Sequence, residues 1–250
     1  MQQHENIETL CSTLSYSEID ALKYAASQLS IKELEDVFDI SNDITKNNRF
    51  FSFLDIISKI QPFSKRVPKY GIAYRGRPHF ITHGVLKQLV SESKEFRQLA
   101  IPATKMQSAQ LIYQPDSDSF ANKLANSQDL LNIVNEYAGE AVRSYMTSYI
   151  YYDQKGQSSP PHVDNAFTAI TVMLALEHEC QNGVLNSSSV SYWPNQKRLD
   201  YQLRPGEISI FFGVSALHGR TPVGDNETVT SILFSFRPSE LCDLKTPFKN

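Results

Sequence analysis

The second half of the chain contains a series of short apolar segments, and this series constrains the fold more than any other feature. Five segments are rich in β-branched and aromatic residues, at 145–152, 166–176, 190–193, 207–212 and 228–236. Turn-forming residues separate them, as in Arg204-Pro205-Gly206 and Gly224-Asp225-Asn226. Strands at this spacing, without helical periodicity between them, indicate an antiparallel sandwich or barrel.

The first third of the chain shows a different, helical pattern. Apolar residues recur at helical spacing over 17–29, 31–38 and 44–60. A stretch rich in proline and lysine, 62–69, then interrupts the pattern and is the best candidate for a boundary.

These two patterns together predict an α+β protein. We expect a helical N-terminal region, 1–69, packed on a β-sheet core, 70–250. The core would carry flanking helices near 84–91 and 127–137. The N-terminal region is either a separate unit or part of one domain.

Composition excludes several classes of protein. Of the 250 residues, 41% are hydrophobic and 20% are charged, which is typical of a globular chain and not of a disordered one. The net charge of −3 argues against binding nucleic acid by phosphate neutralisation. No apolar run approaches the roughly 20 residues that cross a bilayer, and the first six residues lack the pattern of a secretory signal. With three scattered cysteines, these features predict a cytoplasmic protein with no nucleic-acid or membrane partner.

The candidate site begins with His162 and Asp164, in the segment Pro160-Pro161-His162-Val163-Asp164. Residues two apart on a strand project from the same face, so the imidazole and the carboxylate would reach one metal ion. Alone, a His-x-Asp pair is more often a surface turn. A second histidine, His218, follows Asp164 by 54 residues (218 − 164), beyond a strand that starts at Pro205-Gly206-Glu207. Two histidines and one carboxylate on neighbouring strands form the facial triad suited to non-haem Fe(II), which leaves coordination positions open.

In this order, the motifs resemble those of the Fe(II)/2-oxoglutarate-dependent dioxygenases, whose core is a double-stranded β-helix, or jelly roll. The resemblance covers about residues 145–238 and includes an aromatic segment before His162, Asn182-Gly183-Val184-Leu185, the Pro-Gly-Glu strand and Thr221-Pro222-Val223. It is greatest to the branch of prolyl-hydroxylase-like enzymes and hydroxylases of free amino acids. The resemblance implies a jelly-roll core, Fe(II) held by His162, Asp164 and His218, and 2-oxoglutarate and O2 as co-substrates.

The carboxylate of the triad bears on the reaction that the resemblance implies. In the related halogenases a small residue replaces it so that chloride can bind, whereas this chain retains Asp164. We therefore expect oxygen insertion, that is, hydroxylation, with desaturation and cyclisation left open. The expected substrate is a small molecule, such as an amino acid or a derivative, either free or bound to a carrier.

One position departs from the family pattern. The family usually places an arginine about ten residues after the distal histidine, where it pairs with the far carboxylate of 2-oxoglutarate, but this chain has Val229 there. A buried dianion needs a bidentate cation. Arg220 is the favoured replacement because it lies two residues after His218 and would share its face of the strand. Arg237 and Arg204 are the other candidates, and Tyr152 is a candidate hydrogen-bond donor to the same carboxylate.

Three further residues are candidates for contact with the substrate. Asn165 directly follows the metal-binding aspartate, Arg75 would hold a carboxylate, and Trp193 would form a pocket wall. For Arg75 a solvated basic loop is the simpler interpretation, and for Trp193 buried packing is. His178, between two glutamates, is interpreted as a solvated strand end.

Three other functions stay open at this stage. The missing arginine at position 229 leaves room for an iron oxygenase that does not use 2-oxoglutarate. The same three ligands would also suit a zinc-dependent hydrolase. A jelly-roll binding module without catalysis is the third.

Overall fold

The structure is a computed structural model that describes residues 72–103, 109–164, 168–180, 188–192, 198–213 and 216–239. The predicted helices of the region 1–69 and its boundary with the core lie outside the described residues. So do Asn165, Trp193 and the segment 182–185 of the family resemblance.

Three α-helices lie within the described residues: α1 His83–Phe96, α2 Phe120–Ala125 and α3 Gln128–Ala138. A short 3-10 turn, Arg97–Leu99, follows α1. Each α-helix begins after a hydroxyl residue whose side chain accepts a backbone N–H of the first turn, and these caps are Thr82, Ser119 and Ser127. The helices predicted near 84–91 and 127–137 are thus present, while α2 was not predicted.

The strands form two antiparallel sheets. A seven-stranded sheet has the order β1-β9-β6-β11-β4-β3-β2, and a four-stranded sheet has the order β5-β10-β7-β8. Their bounds are β1 Ile72–Gly76, β2 Ile101–Pro102, β3 Leu111–Tyr113, β4 Ala141–Tyr152, β5 Ser159–His162, β6 Ile170–Cys180, β7 Val190–Tyr192, β8 Leu199–Tyr201, β9 Ile208–Phe211, β10 His218–Arg220 and β11 Glu227–Pro238. The α+β class with a jelly-roll core is confirmed.

One face of the seven-stranded sheet packs against the helices. Tyr149, Phe234 and Phe236 on this face share a core with Leu89 of α1 and Val134 of α3. The burial of these apolar side chains is the main force that fixes the helices on the sheet.

Glu92 of α1 connects this helix both to α2 and to strand β4. Glu92 accepts the backbone N–H groups of Phe120 and Ala121 at the start of α2, at 2.6 and 2.9 Å, and also the hydroxyl of Tyr149 at 2.5 Å. A negative charge at a helix N-terminus is favourable.

The opposite face of the seven-stranded sheet is the interior face of the jelly roll. Phe211 of β9 packs there against Tyr192 of the four-stranded sheet, with ring centres 5.1 Å apart. Met173 of β6 and Leu233 of β11 also pack on this face. Because side chains alternate along a strand, every second residue of β6 and β11 faces the space between the two sheets.

Candidate metal centre

The two histidines of the predicted triad meet across a pair of strands. His162 is the last residue of β5 and His218 is the first of β10, and they are direct partners in the antiparallel pair. Their ring centres lie 4.4 Å apart. Each Nε2 is 3.6 Å from the same atom, Oδ1 of Asp164. The structure thus brings the three predicted ligands together.

Backbone carbonyls fix the orientation of both imidazoles. Nδ1 of His162 donates to the carbonyl of Pro160 at 2.7 Å, and Nδ1 of His218 donates to that of Ala216 at 2.8 Å. Because a carbonyl only accepts, the proton is on Nδ1 and the lone pair is on Nε2. This is the arrangement that orients metal-binding histidines.

Neighbouring groups hold the carboxylate of Asp164 in an equally defined way. Its backbone N–H donates to the carbonyl of Gly213 at 2.8 Å, and its Oδ2 accepts the hydroxyl of Thr171 at 2.7 Å. Thr171 is a fully buried residue of β6. With Oδ2 engaged, Oδ1 is directed at the two imidazoles.

A side chain at position 213 would not fit this arrangement. A Cβ atom there would overlap with Oδ2 of Asp164 and would lie 2.7 Å from both the carbonyl of Thr168 and the hydroxyl of Thr171. The site therefore requires glycine for the close approach of the backbone to the carboxylate.

The electrostatics of the site favour the metal-binding protonation states of Asp164 and His218. Burial raises the pKa of Asp164, but the facing His218 and His162 and the hydroxyl of Thr171 outweigh it and lower that pKa overall. Burial lowers the pKa of His218 to about 4, and the second imidazole adds to this effect. Burial alone would lower the pKa of His162, but the hydrogen bond and the charge of Asp164 raise this pKa overall. An ionised carboxylate and a neutral His218 are both ready ligands.

The donor set fits a divalent metal ion. The three ligand atoms all lie within 4.8 Å of one another. Metal–ligand bonds of about 2.1 Å place adjacent donors of an octahedron about 3 Å apart, so a small closing movement completes the site. Two imidazole nitrogens and one carboxylate oxygen are the combination that non-haem Fe(II) takes.

Arg220 lies on the same strand as His218 and faces the interior. Its guanidinium carbon is 5.2 Å from the centre of the Tyr152 ring, and its Nη1 donates to the hydroxyl of Ser188 at 3.1 Å. Burial lowers the pKa of Arg220, and the surrounding groups, Tyr152 first among them, act in the opposite direction. Burial also raises the pKa of Tyr152, which stays protonated as a donor.

Position 229, where the dioxygenases that the sequence resembles have an arginine, neighbours the same tyrosine. Val229 of β11 is 2% exposed and is the direct cross-strand partner of Tyr152 on β4. The Arg220 side chain therefore projects from the four-stranded sheet over the ring of Tyr152, which is the neighbour of Val229. The sequence analysis predicted that Arg220 shares a strand face with His218, and the position of Arg220 over Tyr152 depends on the stacking of the two sheets.

Glu227 is a buried carboxylate that the sequence analysis did not identify. It accepts a hydrogen bond from Ser188, which in turn accepts one from Arg220. Oε1 of Glu227 accepts the N–H and the hydroxyl of Ser188, at 3.0 and 2.6 Å, and also Nε2 of His178 at 2.7 Å. Its Oε2 accepts the N–H of Gly224 at 2.6 Å. The side chain of Glu227 is fully buried. No local pattern marks Glu227, because it directly follows the polar turn 224–226 and begins a strand that also contains threonines and serines.

The interpretation of His178 as a solvated strand end is wrong. Its side chain is only 14% exposed and its Nε2 contacts Glu227. The flanking Glu177 and Glu179 suggested solvent, but the pairing of β6 with β11 turns His178 towards the buried carboxylate.

Two other predicted residues have different surroundings. Arg75 of β1 donates to the carbonyl of Gln202 at 2.7 Å and lies over the ring of Tyr201 at 4.6 Å, with 43% of its side chain exposed. Arg237 is eight residues after Val229 on β11, which places it roughly 26 Å further along the strand.

Neither the known protein-family models nor the curated proteins include a match to this chain. Solved structures do match it. The chain is similar to the non-haem α-ketoglutarate-dependent epimerase SnoN of nogalamycin biosynthesis, with a TM-score of 0.57, 14% identity, and coverage of 80% of this chain and 92% of that one. It is also similar to a Pseudomonas putida prolyl-4-hydroxylase, with a TM-score of 0.54, 15% identity and coverage of 74% and 98%.

A third similar structure is HygX from Streptomyces hygroscopicus, solved with nickel and 2-oxoglutarate bound. Its TM-score is 0.53 at 9% identity, with coverage of 68% of this chain and 84% of that one. The chain has the fold of these oxygenases. The resemblance found in the sequence is therefore confirmed at the level of the fold, the double-stranded β-helix.

Within the described ranges, no helix is both long enough and apolar enough to cross a membrane.

Proposed function

We propose that the protein is a non-haem Fe(II), 2-oxoglutarate-dependent oxygenase that oxidises a C–H bond of a small metabolite. The observation that carries this proposal is the convergence of the His162, His218 and Asp164 ligand atoms, with both Nε2 lone pairs fixed by backbone hydrogen bonds. The similar fold of known oxygenases adds support.

His162, Asp164 and His218 would hold the iron. When bound, Fe(II) and 2-oxoglutarate supply the activation of O2 that oxidises the substrate. The chain itself orients the ligands and provides charge for the co-substrate. Thr171 and Gly213 serve the first of these tasks because they fix the Asp164 carboxylate.

Arg220 would bind the far carboxylate of 2-oxoglutarate, with the hydroxyl of Tyr152 as a second donor. Guanidinium is suited to this role because it remains charged when buried and offers paired donors to a carboxylate. Ser188 and Glu227 hold the guanidinium of Arg220 in place through hydrogen bonds. This supports the role of Arg220, because a cation that is already positioned loses little conformational entropy when the anion binds.

Hydroxylation of a small molecule, an amino acid or a derivative of one, is the reaction that we infer. The retained Asp164 favours oxygen insertion, as argued from the sequence. The names of the similar structures also support small-molecule substrates, since they include an enzyme of nogalamycin biosynthesis.

The test is an anaerobic titration of the Fe(II)-loaded protein with 2-oxoglutarate. A keto acid that chelates Fe(II) produces a metal-to-ligand charge-transfer band in the visible spectrum. We expect this band in the wild type, and a loss of 2-oxoglutarate affinity of at least about 100-fold in Arg220→Ala, because the dianion loses its bidentate partner. Arg198→Ala is the matched control, since Arg198 is exposed and pairs with Asp200 at 2.7 Å.

Each result has a defined meaning. No band and no uptake of O2 with 2-oxoglutarate would refute the proposed function. Zinc in place of iron on metal analysis of the purified protein would favour the hydrolase instead. Equal affinity of wild type and Arg220→Ala for the keto acid would refute the cation assignment alone.

A further inference from the structure

A second arginine, Arg237, faces the interior of the jelly roll at the other end of β11. Phe234 and Phe236 belong to the core on the helix side of the sheet. The residues that alternate with them, Ser235 and Arg237, therefore face the interior, as Leu233 does.

Strand pairing places this group beside the metal centre. Ser235 is the direct partner of Thr171, whose hydroxyl donates to Asp164 at 2.7 Å. Cα atoms of such partners lie about 5 Å apart. Arg237 follows two residues later on the same face, about 7 Å along the strand.

A third polar residue joins them from β4. Arg143 pairs with Phe236 and Thr147 with Phe234, and the register shifts between these pairs, so Ser144 belongs to the short stretch of β4 that lies opposite Ser235. The side chain of Arg143 faces the helices, where it donates to Asn122 at 2.9 Å, which leaves Ser144 on the interior face.

Three polar atoms of this group, the two serine hydroxyls and Nε of Arg237, are buried and have no hydrogen-bond partner among the described residues. Ser235 is fully buried and Ser144 is 8% exposed, and neither hydroxyl has a hydrogen-bond partner within the described parts of the chain. The same holds for the buried Nε of Arg237, which also forms no ion pair among those residues. Buried polar groups are nearly always paired in native proteins, so three unpaired ones together call for a ligand.

We propose that Arg237, Ser235 and Ser144 form a subsite that binds a carboxylate of the substrate. A guanidinium and two hydroxyls offer only hydrogen-bond donors to a ligand that accepts, and the positive charge selects an anion. This inference rests on the proposed function and names the substrate class, a small carboxylic acid.

The subsite is separate from the one assigned to 2-oxoglutarate. Arg220 lies over Tyr152, beside Val229, whereas Arg237 is eight residues further along β11. Two cations separated in this way would hold two carboxylates apart from each other.

The test is a binding experiment on the full chain, loaded with Fe(II) and 2-oxoglutarate under nitrogen. The probes are the twenty L-amino acids, the straight-chain acids from acetate to hexanoate, and the primary amide of each. Binding is measured by calorimetry and by the shift of the charge-transfer band. We expect at least one acid to bind with a Kd below about 10 mM, and its amide at least tenfold more weakly.

The variants separate a binding role from a structural one. Arg237→Gln should weaken the acid at least tenfold, leave its amide within about twofold, and leave the affinity for 2-oxoglutarate unchanged. Ser235→Ala, which keeps the charge, should show a smaller loss of the same kind. Arg198→Gln is the control for loss of a surface arginine.

Several outcomes would overturn the subsite: no acid of the panel binds the wild type, acid and amide bind equally, or Arg237→Gln binds the acid as well as the wild type does. In all three cases an intact charge-transfer band with 2-oxoglutarate leaves the proposed function standing. Absence of that band in the wild type refutes the proposed function first.

Discussion

Gly213 and Asp164 lie so close together that a methyl group on the glycine would overlap with the carboxylate. The backbone at Gly213 also accepts the N–H of Asp164 at 2.8 Å, so one residue holds the metal ligand by contact and by hydrogen bond. This relationship makes the metal site sensitive to a substitution that adds a single carbon.

We expect Gly213→Ala to lower the affinity for Fe(II) by at least about tenfold, because Asp164 must turn away from the two imidazoles. Anaerobic calorimetric titration measures the affinity. Gly84→Ala is the control, since the nearest atom to its added Cβ is the Thr82 hydroxyl at 3.8 Å. An unchanged Fe(II) affinity in Gly213→Ala would contradict the position of the carboxylate.

Thr171→Val should weaken metal binding about 10- to 100-fold, since it removes the hydrogen bond that orients Asp164 and keeps the shape of the side chain. Thr171→Ser retains the hydroxyl and should recover most of the affinity. The comparison of the two variants by the same titration separates the hydrogen bond from packing. Equal binding by both variants would show that the hydroxyl does not act on the metal.

Glu227→Gln should lower the free energy of unfolding by about 2–4 kcal/mol, because the amide directs a donor at groups that are themselves donors. Urea unfolding at neutral pH measures this loss. Glu177→Gln is the matched control; its partner Lys94 is 63% exposed, so the change should cost less than about 1 kcal/mol. In the folded Glu227 variant, 2-oxoglutarate should bind several-fold more weakly while Fe(II) binds normally.

A pair of substitutions tests whether Arg220 replaces the usual family arginine. Arg220→Ala should weaken the binding of 2-oxoglutarate at least about 100-fold, and Val229→Arg in that background should bring the affinity back to within about tenfold of the wild type. The reason is that both side chains approach the ring of Tyr152, one from each sheet. Val229→Lys is the control for charge without the bidentate geometry. A folded double variant that binds no keto acid would contradict the exchange.

The three candidate metal ligands were identified from two short motifs, and the structure brings their ligand atoms within 4.8 Å of one another. His162 and Asp164 are two residues apart, and His218 follows a strand with a clear turn before it. The longer strands were also predicted, such as 228–236 for β11, which spans Glu227–Pro238. A periodic apolar pattern over many residues is sufficient to show which face of a strand is buried.

The remaining parts of the site depend on contacts that no local pattern contains. The approach of Arg220 to Tyr152 joins residues 68 positions apart (220 − 152) on different sheets. Strands β8 and β10 have three residues each, too few to show a period. Glu227 directly follows the polar turn 224–226, so its burial emerges only when β6, β10 and β11 assemble around it.

The prolines before His162 have one further effect. Within the described part of the chain, β5 is an outer strand of the four-stranded sheet, and two of its four residues, Pro160 and Pro161, have no N–H to donate. A foreign strand that tried to extend the sheet at this rim would find half of the donors missing. The border that carries the candidate metal ligand His162 is thereby protected against strand addition, while the Pro160 carbonyl still accepts the hydrogen bond of the imidazole.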